Sequence, residues 1–115
     1  MKYMLLIYMQ ENAMSQAERE QCYVDSTRLA RDLHAKGQFV SANPLQPIST
    51  AASVRIRDGQ RVVTDGPFAE TREQLGGYYM IEAKNLDEAT AIAAKIPSAR
   101  IGSVEVRPIW VMGEA

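Results

Sequence analysis

The chain predicts an α+β fold: an antiparallel sheet with two helices on one face, in the order β-α-β, β-hairpin, β-α-β. Three observations lead there. Ser15-Gln16-Ala17-Glu18 is a capping-box match and Asn85-Leu86-Asp87-Glu88 resembles one, and each opens a stretch with apolar residues at helical spacing. Around these stretches run short segments rich in β-branched and aromatic residues. Two of the segments flank Asp58-Gly59, the strongest short hairpin signal in the chain. The 115 residues fit a single domain, expected over residues 1–115.

Lys2 to Met9 reads as the first strand. Tyr3, Leu5, Ile7 and Met9 point one way, and Met4, Leu6 and Tyr8 the other. Both sets are apolar, so a central strand covered on both faces is expected. Ser15 caps the first helix, which runs to about Lys36, with Gly37 as the left-handed residue beyond it. Cys22, Ser26, Leu29 and Leu33 form its inner stripe, flanked by Tyr23, Thr27, Ala30 and His34.

Gln38 to Ala42 is the second strand, ended by Asn43-Pro44 and Pro47. A small-residue link leads to the hairpin, Ser53 to Arg57 and Gln60 to Thr64. A long connection from Asp65 to Gly77 follows, then a strand from Tyr78 to Ala83. Leu86, Ala89, Ile92, Ala93 and Ile96 form the stripe of the second helix, which Pro97 stops. The last strand is Ser103 to Val111. Val104, Val106 and Trp110 face one side; Ser103, Glu105, Arg107 and Ile109 face the other. Two helices cover one face of such a sheet and leave the other open, so a homodimer is expected to cover the second face.

Composition narrows the function classes. Thirteen Lys plus Arg against fourteen Asp plus Glu give a net charge of −1, which lacks the basic footprint that broad nucleic-acid or anionic-membrane binding needs. The apolar N-terminal run is short and ends in Gln10-Glu11-Asn12, which fits a strand better than a signal peptide or a membrane span. Cys22 is the single cysteine, so no intramolecular disulfide forms, and the cytoplasm is the expected location. One His and one Cys make no metal-ligand pattern, and Gly76-Gly77 precedes a strand where a phosphate cradle would precede a helix. No metal or cofactor is expected.

The connection after the hairpin is the candidate site, because long ordered loops on small scaffolds carry function more often than tight turns do. Asp65 is either a general base or ligand-binding carboxylate, or a turn residue accepting backbone N–H bonds. Glu70 and Arg72, with Glu73, line a pocket mouth or form a solvated charged turn. Glu70 follows Phe68, whose burial would hold it near the scaffold. Glu105 and Arg107 share one strand face, as a polar pair at a site or an ordinary exposed face. Tyr23 and Tyr78 offer phenols to a ligand, or pack in the core with satisfied hydroxyls.

Thr64-Asp65-Gly66-Pro67-Phe68-Ala69-Glu70-Thr71-Arg72-Glu73, followed by Gly76-Gly77-Tyr78, resembles the DGPF-type members of the bacterial YCII-related family. Gly102-Ser103-Val104-Glu105-Val106-Arg107-Pro108 resembles that family's C-terminal signature, and the resemblance spans essentially the whole chain. It implies a ferredoxin-like fold that pairs face to face into a dimeric α/β barrel. It also implies a proposed catalytic pair, a histidine early in helix one with the motif aspartate, on a fold resembling that of muconolactone isomerase-like enzymes. Asp65 matches that aspartate; the single histidine, His34, lies near the other end of the helix. A setting beside extracytoplasmic-function sigma factors is implied as well. The expected function is a small-molecule enzyme of isomerase, lyase or hydrolase type using Asp65 in a loop-lined cleft. The alternative is a non-catalytic ligand-binding or regulatory accessory protein linked to such a sigma factor.

Overall fold

The computed structural model describes residues 1–113. Its order is β1 (Lys2–Met9), α1 (Gln16–Ala35), β2 (Phe39–Pro44), a 3₁₀ turn at Ile48–Thr50, β3 (Ala52–Arg57) and β4 (Gln60–Asp65). Then come β5 (Gln74–Glu82), α2 (Leu86–Ala93), a 3₁₀ turn at Pro97–Arg100 and β6 (Ser103–Pro108). Four strands form one sheet in the order β2-β5-β1-β6, and β3 and β4 form a sheet of their own. Every pairing is antiparallel. β1 is central, as its two apolar faces require.

Tyr3, Leu5 and Ile7 of β1 join Tyr79 and Ile81 of β5 under Leu29 and Leu33 of α1 and Ala89, Ile92 and Ala93 of α2. Leu5 and Ile81 are 0% exposed. Burying a side chain of that size contributes about 1.5–3 kcal/mol. The Tyr79 hydroxyl donates to the Ser26 carbonyl at 2.9 Å, tying helix to sheet, and burial raises its phenol above the ordinary value.

Both ends of α1 are closed by local chemistry. The Ser15 hydroxyl accepts from the Glu18 amide at 3.2 Å, and the Glu18 carboxylate accepts from the Ser15 amide at 3.1 Å. At the far end Gly37 (φ 71°) lets its own N–H reach His34 and that of Gln38 reach Leu33, a Schellman closure. The inner stripe is shorter than the spacing predicts. Leu29 and Leu33 are buried, whereas Cys22 and Ser26 are only half-buried.

α2 ends at Ala93, short of Ile96 and Pro97, and three strand boundaries also differ from the sequence reading. β2 runs on through Asn43-Pro44, because it is an edge strand and one side of its backbone needs no partner. β5 begins at Gln74, so Gly76 and Gly77 lie inside a strand. A Cβ on Gly77 would stand 3.0 Å from the Asn43 carbonyl oxygen and 3.3 Å from the Pro44 Cα, so glycine here lets β2 close on β5. β6 ends at Pro108, which leaves Trp110 75% exposed.

The hairpin stands apart. Asp58 (φ 53°) and Gly59 (φ 74°) make its two-residue primed turn, and its strands bond only to each other. The molecule measures 47 × 46 × 19 Å with a radius of gyration of 16.0 Å. A compact chain of this length would give about 13 Å. The thin dimension fits one sheet and one helix layer, so the hairpin extends sideways as an arm.

Gly102 admits β6 to the sheet, since a Cβ there would collide with the Tyr8 carbonyl oxygen. Neither backbone can yield without parting β1 from β6. Gly102→Ala should lower stability by about 1–3 kcal/mol, read as a fall in the denaturant midpoint. An unchanged midpoint would show that the strands part freely at this end.

Candidate functional site

Strand alternation gives the sheet a second face that no helix covers. Met4, Leu6 and Tyr8 of β1 lie on it. Register places Met4 between Met80 and Arg107, Leu6 between Tyr78 and Glu105, and Tyr8 beside Ser103. Ser41 and Asn43 of β2 lie opposite Met80 and Tyr78. The centre is therefore apolar, and the flanks carry a phenol, an amide, hydroxyls and a charged pair. Glu105 and Arg107 approach to 4.0 Å with both side chains at least half exposed, an ion pair of little stabilising weight.

At one end of this face lies a shallow basin of about 580 Å³, lined by Tyr8, Gln10, Thr71, Arg72, Glu73 and Ser103. β1 and β6 supply the floor, and the segment before β5 supplies the wall. That segment is held by its own polar groups. The Thr71 hydroxyl donates to the Glu73 carbonyl, and the Gln74 side-chain Nε2 donates to the Thr71 carbonyl. The Ser103 hydroxyl donates to Glu73 Oε1 at 3.3 Å, joining wall to floor. The basin thus offers a guanidinium, a carboxylate, a phenol, a hydroxyl and an amide around a partly apolar floor.

Tyr78 pairs with Leu6, one alternation along β1 from Tyr8 on the same face. Asn43 Nδ2 donates to its phenol oxygen at 3.0 Å. That bond, with a smaller contribution from Ser41, holds the Tyr78 phenol below its ordinary value. A donor aimed at the oxygen favours the phenolate, so this group gives up its proton more readily than an ordinary tyrosine.

The structure gathers some of the sequence candidates and separates others. Arg72 lines the basin; Tyr78, Glu105 and Arg107 share its sheet face. Tyr23 is exposed on α1, among Val24, Thr27, Arg28 and Arg31, on the opposite side of the sheet. Asp65 ends β4 opposite Ala52, exposed and outside the basin lining. The turn there is held by other groups: the Gly66 amide donates to the Ala51 carbonyl at 2.8 Å, and the Ser53 hydroxyl to the Gly66 carbonyl at 2.9 Å. Glu70 is exposed and also outside the lining.

Phe68 corrects the expectation of a buried anchor. It is 75% exposed, and the Arg55 guanidinium of the arm lies 4.9 Å from its ring centroid. An exposed stack of this kind contributes about 0.5–1 kcal/mol. The loop therefore leans on the arm and not on the core. Sequence reasoning missed Tyr8, Gln10, Thr71 and Ser103 as lining residues, and left Glu73 open between a pocket mouth and a solvated charged turn. The alternation that puts Tyr8 with Leu6, and Ser103 with Glu105, held the signal for two of them.

Comparison with known proteins agrees with this architecture. The model of the YCII-related domain matches residues 1–113. An uncharacterized protein of Rhizobium meliloti is 39% identical over 118 residues, covering 95% of this chain and 92% of that protein. Among solved structures, 5-chloro-2-hydroxyhydroquinone dehydrochlorinase from Burkholderia phenoliruptrix, in complex with 2,5-dihydroxybenzoquinone, aligns with a TM-score of 0.56. The alignment covers 98% of this chain and 96% of that one at 14% identity, a likeness of fold. No helix among the described residues is long and apolar enough to cross a membrane.

The state of Tyr78 can be read directly. Replacing Asn43 by Ala removes the donor that stabilises the phenolate, so the titration should move to higher pH. Tyrosinate absorbance, taken as the difference between each protein and its Tyr78→Phe counterpart, isolates this group. A titration that stays in place would show that the Asn43 bond does not govern the phenol.

Proposed function

The chain belongs to the family of YCII-related domains, and on that premise we propose that it binds a small polar organic molecule on its open sheet face and performs acid–base chemistry of the isomerase, lyase or hydrolase type there. One observation carries the reading: a basin ringed by Tyr8, Arg72, Glu73 and Ser103 opens beside a phenol biased toward ionisation. Pockets that orient small ligands combine an apolar surface with a few convergent polar groups.

In this reading Arg72 holds an anionic oxygen of the ligand as a planar clamp. Tyr8 and Ser103 fix its orientation through hydrogen bonds. Tyr78 accepts a proton as phenolate and returns it as phenol, and Asn43 sets its poise. Arg72 also stabilises the negative charge that develops when a proton leaves carbon. Glu105 and Arg107 form the polar flank of the same face. Tyr78 takes the proton-transfer role in place of Asp65, since Tyr78 lies on the open face of the main sheet beside the basin and Asp65 belongs to the separate β3–β4 sheet. Asp65 and Glu70 belong to the rim of the loop, and Tyr23 has no part.

The first probe is 2,5-dihydroxybenzoquinone, the planar ligand bound by the dehydrochlorinase, together with hydroxylated aromatic acids, titrated by calorimetry. Arg72→Ala should weaken binding about tenfold, equivalent to about 1.4 kcal/mol. Tyr78→Phe should leave binding within a few-fold while cutting turnover of any substrate by about 10²–10⁴. Activity carried by the phenolate should rise with pH until Tyr78 is ionised. Binding without turnover across the panel would favour the regulatory ligand-binding reading. Failure of every probe to bind would remove the basin as a site for this class.

A further inference from the structure

We propose that the β3–β4 arm is a clasp that closes on a second copy of this chain and supplies the missing wall of that copy's basin. A lone two-stranded hairpin is marginally stable in water. This one has no core of its own, yet it exposes Val54, Ile56, Val62 and Val63, each between 43% and 60%. Three of the four lie together. Val54 pairs with Val63, and Ile56 pairs with Arg61 on the same face, so Val54, Ile56 and Val63 form one apolar surface with Arg61 near its tip. Arg55 and Val62 lie on the other face, with Arg55 turned to Phe68. Hydrophobic side chains gathered on a protruding arm point to a surface that the arm covers.

The area argues that the surface belongs to a second copy. Strand spacing and rise give the open face of the main sheet about 500 Å². Stable interfaces bury about 600–1,000 Å² per partner, so that face alone falls short. One face of the arm adds about 200 Å² by the same spacings. In a two-fold pair the arm that is received lies on sheet face already counted, so each subunit buries about 700 Å². That falls within the range of stable interfaces. The surfaces also match in character. The apolar row Met4, Leu6 and Met80 suits the valines and isoleucine of the arm.

A sideways arm of six residues per strand reaches about 20 Å beyond its base. That reach carries it past the edge of its own sheet, and in the proposed pair the partner lies against its apolar face. The basin has a floor from β1 and β6 and a wall from residues 71–73, and lies open on its remaining side. The partner's arm closes that side. Only this last step rests on the basin as a ligand site; the clasp stands without it.

Light scattering with gel filtration tests the clasp with no ligand present. Wild type at tens of micromolar should give twice the 12.8 kDa chain mass. The double variant Ile56→Asp, Val63→Asp should give a single-chain mass with an unchanged far-UV spectrum, because the arm contributes nothing to the core. Hydrogen exchange on wild type supports this independently: arm amides should become more protected as concentration rises. The wall is tested by mixing Ile56→Cys and Ser103→Cys, each in a Cys22→Ser background, with a short bismaleimide. A cross-linked pair of unlike chains is expected, and a dimer that yields none overturns the wall. A monomeric wild type, or an arm variant that remains dimeric, overturns the clasp, whether or not a small molecule binds.

Discussion

The structure depends on β1 being paired along both edges and apolar on both faces. Its partners β5 and β6 come from the far half of the chain, so the sheet closes only when residues 65 to 105 positions apart meet. One face of β1 then anchors the helices, with Leu5 and Ile81 at the centre. The other face carries Met4, Leu6 and Tyr8, with no helix of the described residues packed over them. The folding surface and the candidate functional surface are thus two sides of one strand. Gly102 and Gly77 serve this arrangement by letting β6 and β2 approach where a side chain would hold them off.

The electrostatics follow from the same layering. Tyr79 and Tyr78 are sequence neighbours with opposite environments. Tyr79 points into the core, donates to a helix carbonyl and is made a weaker acid by burial. Tyr78 points to the open face, accepts from Asn43 and becomes a stronger acid. Strand alternation alone gives the two phenols these opposite environments. The DGPF-like turn has a different part: it ends the arm and passes into the loop that walls the basin, with Arg55 stacked on Phe68 across the junction. Its Asp65 closes the pairing with Ala52 at the arm's base.

Much of the fold was legible in the residues. The capping box at Ser15, the left-handed Gly37, the Asp58-Gly59 turn and the alternation of β1 are short-range features, and each appears where its local chemistry requires. The family resemblance agrees with the match over residues 1–113. The errors fell where long-range contacts override local preference. Asn43-Pro44 continues as strand because β2 is at an edge, and Gly76-Gly77 continues as strand because β2 and β1 flank it. Phe68 looked like a core residue by type and proved to stack on an arginine at the surface.

The candidate site divides in the same way. Sequence alone determined that Tyr78, Glu105 and Arg107 sit on strands and that Arg72 sits in a loop, because periodicity and turn chemistry act within a few residues. It also determined that strand one is apolar on both faces. Tertiary structure decided that Arg72 meets Tyr8 and Ser103, that Asn43 tunes Tyr78, that Tyr23 faces away, and that the hairpin is an arm and not part of the sheet. Those facts depend on which strands lie side by side. Strand order is set by how the whole chain buries its apolar faces, and no local run of residues carries it.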